Sequence, residues 1–159
     1  MKILMVCAGN ICRSPLAEGI MRHYINHYQL QGWEVDSAGT ENYFAGGPPD
    51  TRSTQTGAKY GIDISQQKAR QFQLSDLDSF DVIYIMDTHN YRELMRIWID
   101  RNPAYQTEYY MGKIKFILNE TYPKQNRAVP DPYYGGIEGF ETVYSLLDNA
   151  CRTIAQKYQ

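Results

Sequence analysis

The stretch MKILMVCAGNICRSP, residues 1–15, decides the fold. Ile3 to Val6 is a short continuous apolar run, the pattern of a strand buried on both faces. Cys7 follows at once, and Arg13 lies six residues further on, with Gly9, Asn10 and a second cysteine, Cys12, between them. Ser14-Pro15 then predicts a helix start, with Ser14 as N-cap and Pro15 at the first helical position. Leu16, Ile20, Met21, Tyr24, Ile25 and Tyr28 continue at helical spacing.

Further along the chain, strand and helix signals keep alternating. Trp33 to Ala38 is a second strand candidate, and Asp50 caps a short predicted helix that runs through Lys59 and ends at Tyr60-Gly61. Asp81 to Asp87 (DVIYIMD) is the clearest central strand, followed by a helix capped by Thr88 and carrying Leu94, Met95, Ile97 and Trp98. Lys113 to Leu118 is a fourth strand, Val129 to Gly136 a turn-rich loop, and Phe140, Val143, Tyr144, Leu147 and Ile154 mark a long final helix. Alternation of this kind predicts an α/β fold with a parallel sheet and right-handed crossovers. In such sheets the site lies outside the carboxyl ends of the strands, which is where Cys7 falls.

Composition narrows the function. A chain of 159 residues suits one domain, 1–159, with 43% hydrophobic and 21% charged residues. A formal charge of −2 gives no basic surface for nucleic acid. No segment approaches the roughly 18 apolar residues of a membrane span, and polar Asn10 and charged Arg13 interrupt any signal-peptide reading of the start. Three cysteines, two of them in one loop, do not form a secreted disulfide framework, so a cytoplasmic protein with free thiols is expected.

The segment from Cys7 to Ser14 has the architecture of an anion cradle. Loop N–H groups can converge on one point, and the helix N-terminus adds partial positive charge. Gly9 and Asn10 tolerate the left-handed backbone that such a curl needs. Arg13 offers a bidentate fork to phosphate oxygens. The same positive surroundings favour a thiolate at Cys7, and Ser14 can donate a hydrogen bond to that sulfur. The competing reading is a buried, inert strand-end cysteine; strand, loop, Arg13, Ser14 and Pro15 together favour the cradle.

A phosphate ester held over a thiolate needs its leaving oxygen protonated. Asp131, stiffened by Pro132, is the candidate acid, although its local sequence alone favours an ordinary turn aspartate. Tyr133 and Tyr134 can line a slot for a planar ring, in a chain that has 14 tyrosines.

Taken together, VCAGNICRSP (6–15), DSAGT (36–40), ARQ (69–71), YIMD (84–87), DPYYG (131–135) and FETVY (140–144) resemble the low-molecular-weight protein tyrosine phosphatases over nearly the whole chain. The resemblance implies a flavodoxin-like, doubly wound, four-stranded parallel sheet with helices on both faces. It implies Cys7 as nucleophile and a phosphate loop of Ala8, Gly9, Asn10, Ile11, Cys12, Arg13 and Ser14. Arg13 clamps the phosphate, Ser14 assists the thiol, and Asn10 braces the loop with Ser37 behind it. Asp131 serves as acid and then base, and Ala8, Tyr43, Tyr133 and Tyr134 line the substrate cleft. Neither metal nor cofactor is required. Phosphotyrosine proteins are the implied substrates, inorganic phosphate is product and inhibitor, and a monomer is expected.

Cys12 also fits the resemblance as a reversible disulfide partner for Cys7, and equally fits a small buried side chain; Cys151 reads as structural. Two positions depart from the pattern. Gln67 stands where many relatives place a histidine that braces the loop asparagine; glutamine can donate a hydrogen bond there but cannot titrate. Ala8 replaces a bulkier apolar residue and leaves one cleft wall smaller.

Rival readings share the anion loop. An arsenate reductase needs a later cysteine pair, and only Cys151 lies beyond Cys12. Arginine phosphatases of this type tend to have threonine where Ile11 stands. A phosphocysteine carrier domain would need no acid at Asp131.

Overall fold

The structure, a computed structural model, describes residues 1–101 and 107–157. Its strands are β1 (Lys2–Cys7), β2 (Glu34–Gly39), β3 (Val82–Ile85) and β4 (Ile114–Phe116). They form one sheet in the order β2-β1-β3-β4, with every pairing parallel. The helices are α1 (Arg13–His27), α2 (Thr51–Lys59), α3 (Asp76–Ser79), α4 (Thr88–Arg101), α5 (Thr107–Gly112) and α6 (Ile137–Gln156), and a 3-10 turn spans Ile117–Glu120.

Residues Ile3 to Val6 are fully buried because β1 is central and covered on both sides. Successive side chains point to opposite faces of a strand. Ile3, Met5 and Cys7 pack with Leu16 and Ile20 of α1 and with Val143 and Leu147 of α6. Leu4 and Val6 pack on the other face with Leu94 and Trp98 of α4. Helices therefore cover both faces, and the apolar run at 3–6 is explained by burial on two sides.

The chain runs from β1 to β2 on one side and then crosses back past β1 to β3 on the other, so the direction of winding reverses between β1 and β3. Ligands of open α/β sheets bind at that crevice, outside the carboxyl ends. Cys7 ends β1, paired with Gly39 at the end of β2, and Asp87 follows β3 closely.

Several boundaries differ from the sequence expectation. Helix α1 begins at Arg13, with Cys12 at the cap position and no side chain capping it. Ser14 is inside the helix because its hydroxyl is engaged elsewhere, as described below. Asp87, rather than Thr88, accepts the N–H of Asn90 in the first turn of α4 (2.8 Å). Trp33 precedes β2, and β4 stops at Phe116, where the backbone tightens into the 3-10 turn. Helices α3 and α5 are short additions with no periodic signal in the sequence. Asp50 does cap α2, accepting the N–H of Arg52 at 2.9 Å. Among the described residues no helix is long and apolar enough to cross a membrane.

Candidate active site

The loop between β1 and α1 is held from outside by its carbonyls. Those of Cys7 and Ala8 accept the N–H groups of Thr40 and Glu41, both at 2.9 Å. The Ile11 carbonyl accepts the N–H of Asp50 (2.8 Å), and that of Cys12 accepts the Ser53 hydroxyl (2.8 Å). Asn10 takes the left-handed conformation, φ 56°, which asparagine tolerates better than most residues. Among the described residues the N–H groups of Gly9, Asn10 and Ile11 have no acceptor. Unpartnered N–H groups beside a helix N-terminus are the makings of an anion site. Gly39 supports this curl from below: a Cβ there would lie 2.5 Å from the Ala8 carbonyl oxygen.

Behind the loop runs a chain of polar side chains. Cys7 Sγ and Ser14 Oγ are 3.1 Å apart. Asn10 Nδ2 donates to Ser14 Oγ (2.8 Å) and to Ser37 Oγ (2.9 Å). The Ser14 hydroxyl keeps its own hydrogen, to give either to Cys7 Sγ or to the Ala38 carbonyl at 3.3 Å. Those bonds are what remove Ser14 from the cap role. Ser37 donates to Glu18 Oε2 (2.7 Å), and Arg22 donates to Glu18 Oε1. Burial pushes the Glu18 carboxyl up, against the hydrogen bonds from Ser37 and Arg22 that favour its charge. Asn10 Oδ1 accepts the backbone N–H of Arg70 (2.9 Å). Gln67 has no part in this: its amide donates to the Pro15 carbonyl at 3.0 Å. Asn10 is therefore braced here by the Arg70 backbone amide, and Gln67 does not reach it.

Arg13 is the other buried centre. Its guanidinium donates to Asp87 Oδ2 (2.6 Å), to the Val129 carbonyl (3.0 Å) and to Asp131 Oδ2 (3.3 Å). Burial alone would depress its pKa; the neighbouring Cys7, Asp87 and Asp131 outweigh that and raise it. Arg13 is a fixed cation. Asp131 is about half exposed, 46% of its side chain, and opens to solvent.

Cys7, the loop, Arg13 and Asp131 face one cleft of about 230 Å³. Drug-sized ligand pockets run to about 300–1,000 Å³, so this one matches a small anion with one ring. Ala8, Tyr43, Tyr133 and Tyr134 line it. Tyr43 and Tyr134 are largely exposed, at 80% and 93%. Glu41 and Phe44 also line it and were not singled out by the sequence. Phe44 crosses Gly9 so closely that a Cβ on that glycine would meet its ring at 3.0 Å, so an aromatic wall stands beside the small Ala8. Cys12 reaches the same cleft but is buried, and burial pushes its thiol up. Cys151 lies in the core between α6 and α1. Asn10, Ser14 and Ser37 stand behind the cleft as buried supports.

A doubly wound parallel sheet with a thiol, a buried arginine and an unpartnered amide loop at its switch point defines an α/β protein with a site suited to an anion. The chain belongs to the low molecular weight phosphotyrosine protein phosphatase family, whose model matches residues 2–159. A Synechocystis protein provisionally named a low molecular weight protein-tyrosine-phosphatase is 47% identical over 152 residues, covering 95% of this chain and 92% of that protein. The crystal structure of a protein tyrosine phosphatase from Entamoeba histolytica superposes with a TM-score of 0.86 at 38% identity, covering 99% of this chain and 96% of that one. An arginine phosphatase of Drosophila superposes with a TM-score of 0.87 at 32% identity, covering 100% and 98%.

Proposed function

We propose that the chain is one phosphatase domain that hydrolyses phosphotyrosine in proteins through a phosphocysteine intermediate. The observation that carries this reading is the meeting of Cys7, Arg13 and Asp131 at one small cleft. The phosphoryl group sits in the loop of residues 8–13, its oxygens on the backbone N–H groups and on Arg13. Cys7 attacks phosphorus as the thiolate. The S–P bond forms, the P–O bond to the phenol breaks, and Asp131 gives its proton to the phenol oxygen. Water then attacks phosphorus, passing a proton to Asp131, and the S–P bond breaks. The Ser14 hydroxyl donates to the sulfur as it leaves, steered by Asn10, which Ser37 holds in place.

Tyr43, Tyr133, Tyr134 and Phe44 form the ring-binding walls, with the small Ala8 beside them, and favour an aryl ester over a phosphoguanidine. A peptide pair, one with phosphotyrosine and one with phosphoarginine, tests this, and faster turnover of the second would replace the substrate assignment. Activity should survive chelation by EDTA, and inorganic phosphate should inhibit competitively. Replacing Cys7 by Ser should abolish turnover, and Asp131→Ala should slow aryl phosphate cleavage about 10²–10⁴-fold. An unaffected Asp131→Ala variant would instead indicate a carrier.

Cys12 completes the reading as a resolving thiol. Peroxide oxidises Cys7 to the sulfenic acid; the Cys12 thiol attacks that sulfur, water leaves, and a disulfide remains that external thiols reduce. Under excess peroxide the inactivation of wild type should stay reversible by dithiothreitol, whereas in Cys12→Ser a second peroxide carries the sulfenic acid on to the sulfinic acid and activity should not return. The protein acts as a monomer in the cytoplasm; sedimentation and cell fractionation test those two points.

A further inference from the structure

Arg52 lies outside the residues assigned above, yet its side chain joins the two loops that carry them. Its Nε and Nη2 make a fork on Asp50, 3.0 Å to Oδ1 and 2.9 Å to Oδ2. Its Nη2 also donates to the Tyr133 carbonyl (3.0 Å), and Nη1 donates to the Gly135 carbonyl (3.2 Å). The guanidinium carbon stands 4.6 Å from the centre of the Phe140 ring, on which the plane is supported. On one side, Asp50 is tied to the nucleophile loop by its N–H on the Ile11 carbonyl at 2.8 Å. On the other, Tyr133 is the residue whose own N–H donates to Asp131 Oδ1 at 3.1 Å. A continuous path thus runs Ile11, Asp50, Arg52, Tyr133, Asp131.

We propose that Arg52 is a positioning residue for Asp131, fixing the acid-bearing loop at a set separation from the loop that holds Cys7. The inference rests on the reading of Asp131 as general acid. Only a planar head with several donors can serve Asp50 and two carbonyls at once; a lysine in its place is a single point charge. Displacing a catalytic group by about 1 Å can cost on the order of 100-fold in rate. The residue most exposed to that loss is Asp131, which stands half in solvent on a loop, while Cys7 is seated on the central strand.

The test uses aryl phosphates whose phenols differ in acidity: 2,4-dinitrophenyl, 4-nitrophenyl and phenyl phosphate. Acid catalysis matters little for the first leaving group and most for the last, so the slope of log kcat/KM against phenol pKa reports on the acid. Wild type, Asp131→Asn, Arg52→Gln and Arg52→Lys are compared. Asp131→Asn should steepen the slope. Arg52→Gln should steepen it part of the way, losing about tenfold or more on phenyl phosphate and no more than about threefold on the dinitrophenyl ester. Retention of the dinitrophenyl rate shows that the nucleophile loop is intact. Arg52→Lys, the milder change, is read by the same slope and decides the matter if Arg52→Gln does not fold. A slope parallel to wild type in the Arg52 variants, with Asp131→Asn steepened, overturns the role of Arg52 and leaves the acid assignment standing. No steepening in Asp131→Asn overturns the acid assignment, and this inference falls with it.

Discussion

Asp87 holds Arg13 with one carboxylate oxygen and the first turn of α4 with the other. Oδ2 accepts from Arg13 Nη1 at 2.6 Å, and Oδ1 accepts the Asn90 N–H at 2.8 Å. Because Asp87 follows β3 while Arg13 opens the helix after β1, this one side chain clamps the switch point of the sheet. A guanidinium fixed in this way is oriented before an anion arrives, so little of the binding free energy goes into ordering it.

Asp87→Asn separates the two jobs. Asparagine caps a helix about as well as aspartate, so thermal stability should change little. The hydrogen bond to a charged partner, typically about 1.5–3 kcal/mol, is weakened, and Arg13 loses its fixed orientation. The expected outcome is a fall of about ten-fold or more in kcat/KM and a matching rise in the inhibition constant for phosphate, read by steady-state kinetics beside a melting curve.

Gly39→Ala tests the support under the loop. The added methyl would stand 2.5 Å from the Ala8 carbonyl oxygen and 3.0 Å from the Asn10 nitrogen, both backbone atoms. The curl must open to admit it. Wild type should show a rise in melting temperature with added phosphate, since a ligand that binds only the folded form stabilises it by mass action. In Gly39→Ala that rise should vanish while the protein still melts cooperatively.

The pair of Asp50 and Arg52 predicts a pH dependence of stability. Hydrogen bonds from Arg52 hold the Asp50 carboxyl below its ordinary value of 3.8, with burial opposing. A carboxyl with a lowered folded-state pKa binds fewer protons folded than unfolded, so its contribution is fully present above the unfolded value and is lost as pH falls through the lowered one. Asp50→Asn keeps a capping group but cannot titrate. The difference in melting temperature between wild type and this variant should be largest near neutral pH and shrink as the pH drops below about 3.8. A difference that is constant with pH would show that the charge of Asp50 contributes nothing.

The loop after β1 was legible in the sequence because its parts are contiguous: an apolar run, a thiol, a curl and an arginine within residues 3–13. Asp131 stood out as a candidate acid, but its local sequence alone favoured a turn aspartate. Asp87 and Arg52 had no local signature. Asp87 meets Arg13 across a separation of 74 residues, and Arg52 meets Tyr133 across 81; each role exists only once the sheet order places those segments together. The cap role of Ser14 was misjudged for the opposite reason. A Ser-Pro pair is a sound cap signal, but here Asn10 and Cys7 compete for the hydroxyl and take it. Phe44 and Glu41 escaped notice beside Tyr43 because only the path of residues 39–44 over the glycine of the loop makes them walls.

The central claim is a covalent bond between phosphorus and the sulfur of Cys7. Wild type should be mixed with an excess of 4-nitrophenyl phosphate, stopped within milliseconds by denaturant at mildly alkaline pH, and its peptides sequenced by mass spectrometry. The account predicts one phosphoryl group on Cys7, formed as fast as the first equivalent of phenol is released, and none in Cys7→Ser. Release of phenol at the full rate with Cys7 unmodified throughout, or sustained turnover by Cys7→Ser, would contradict it.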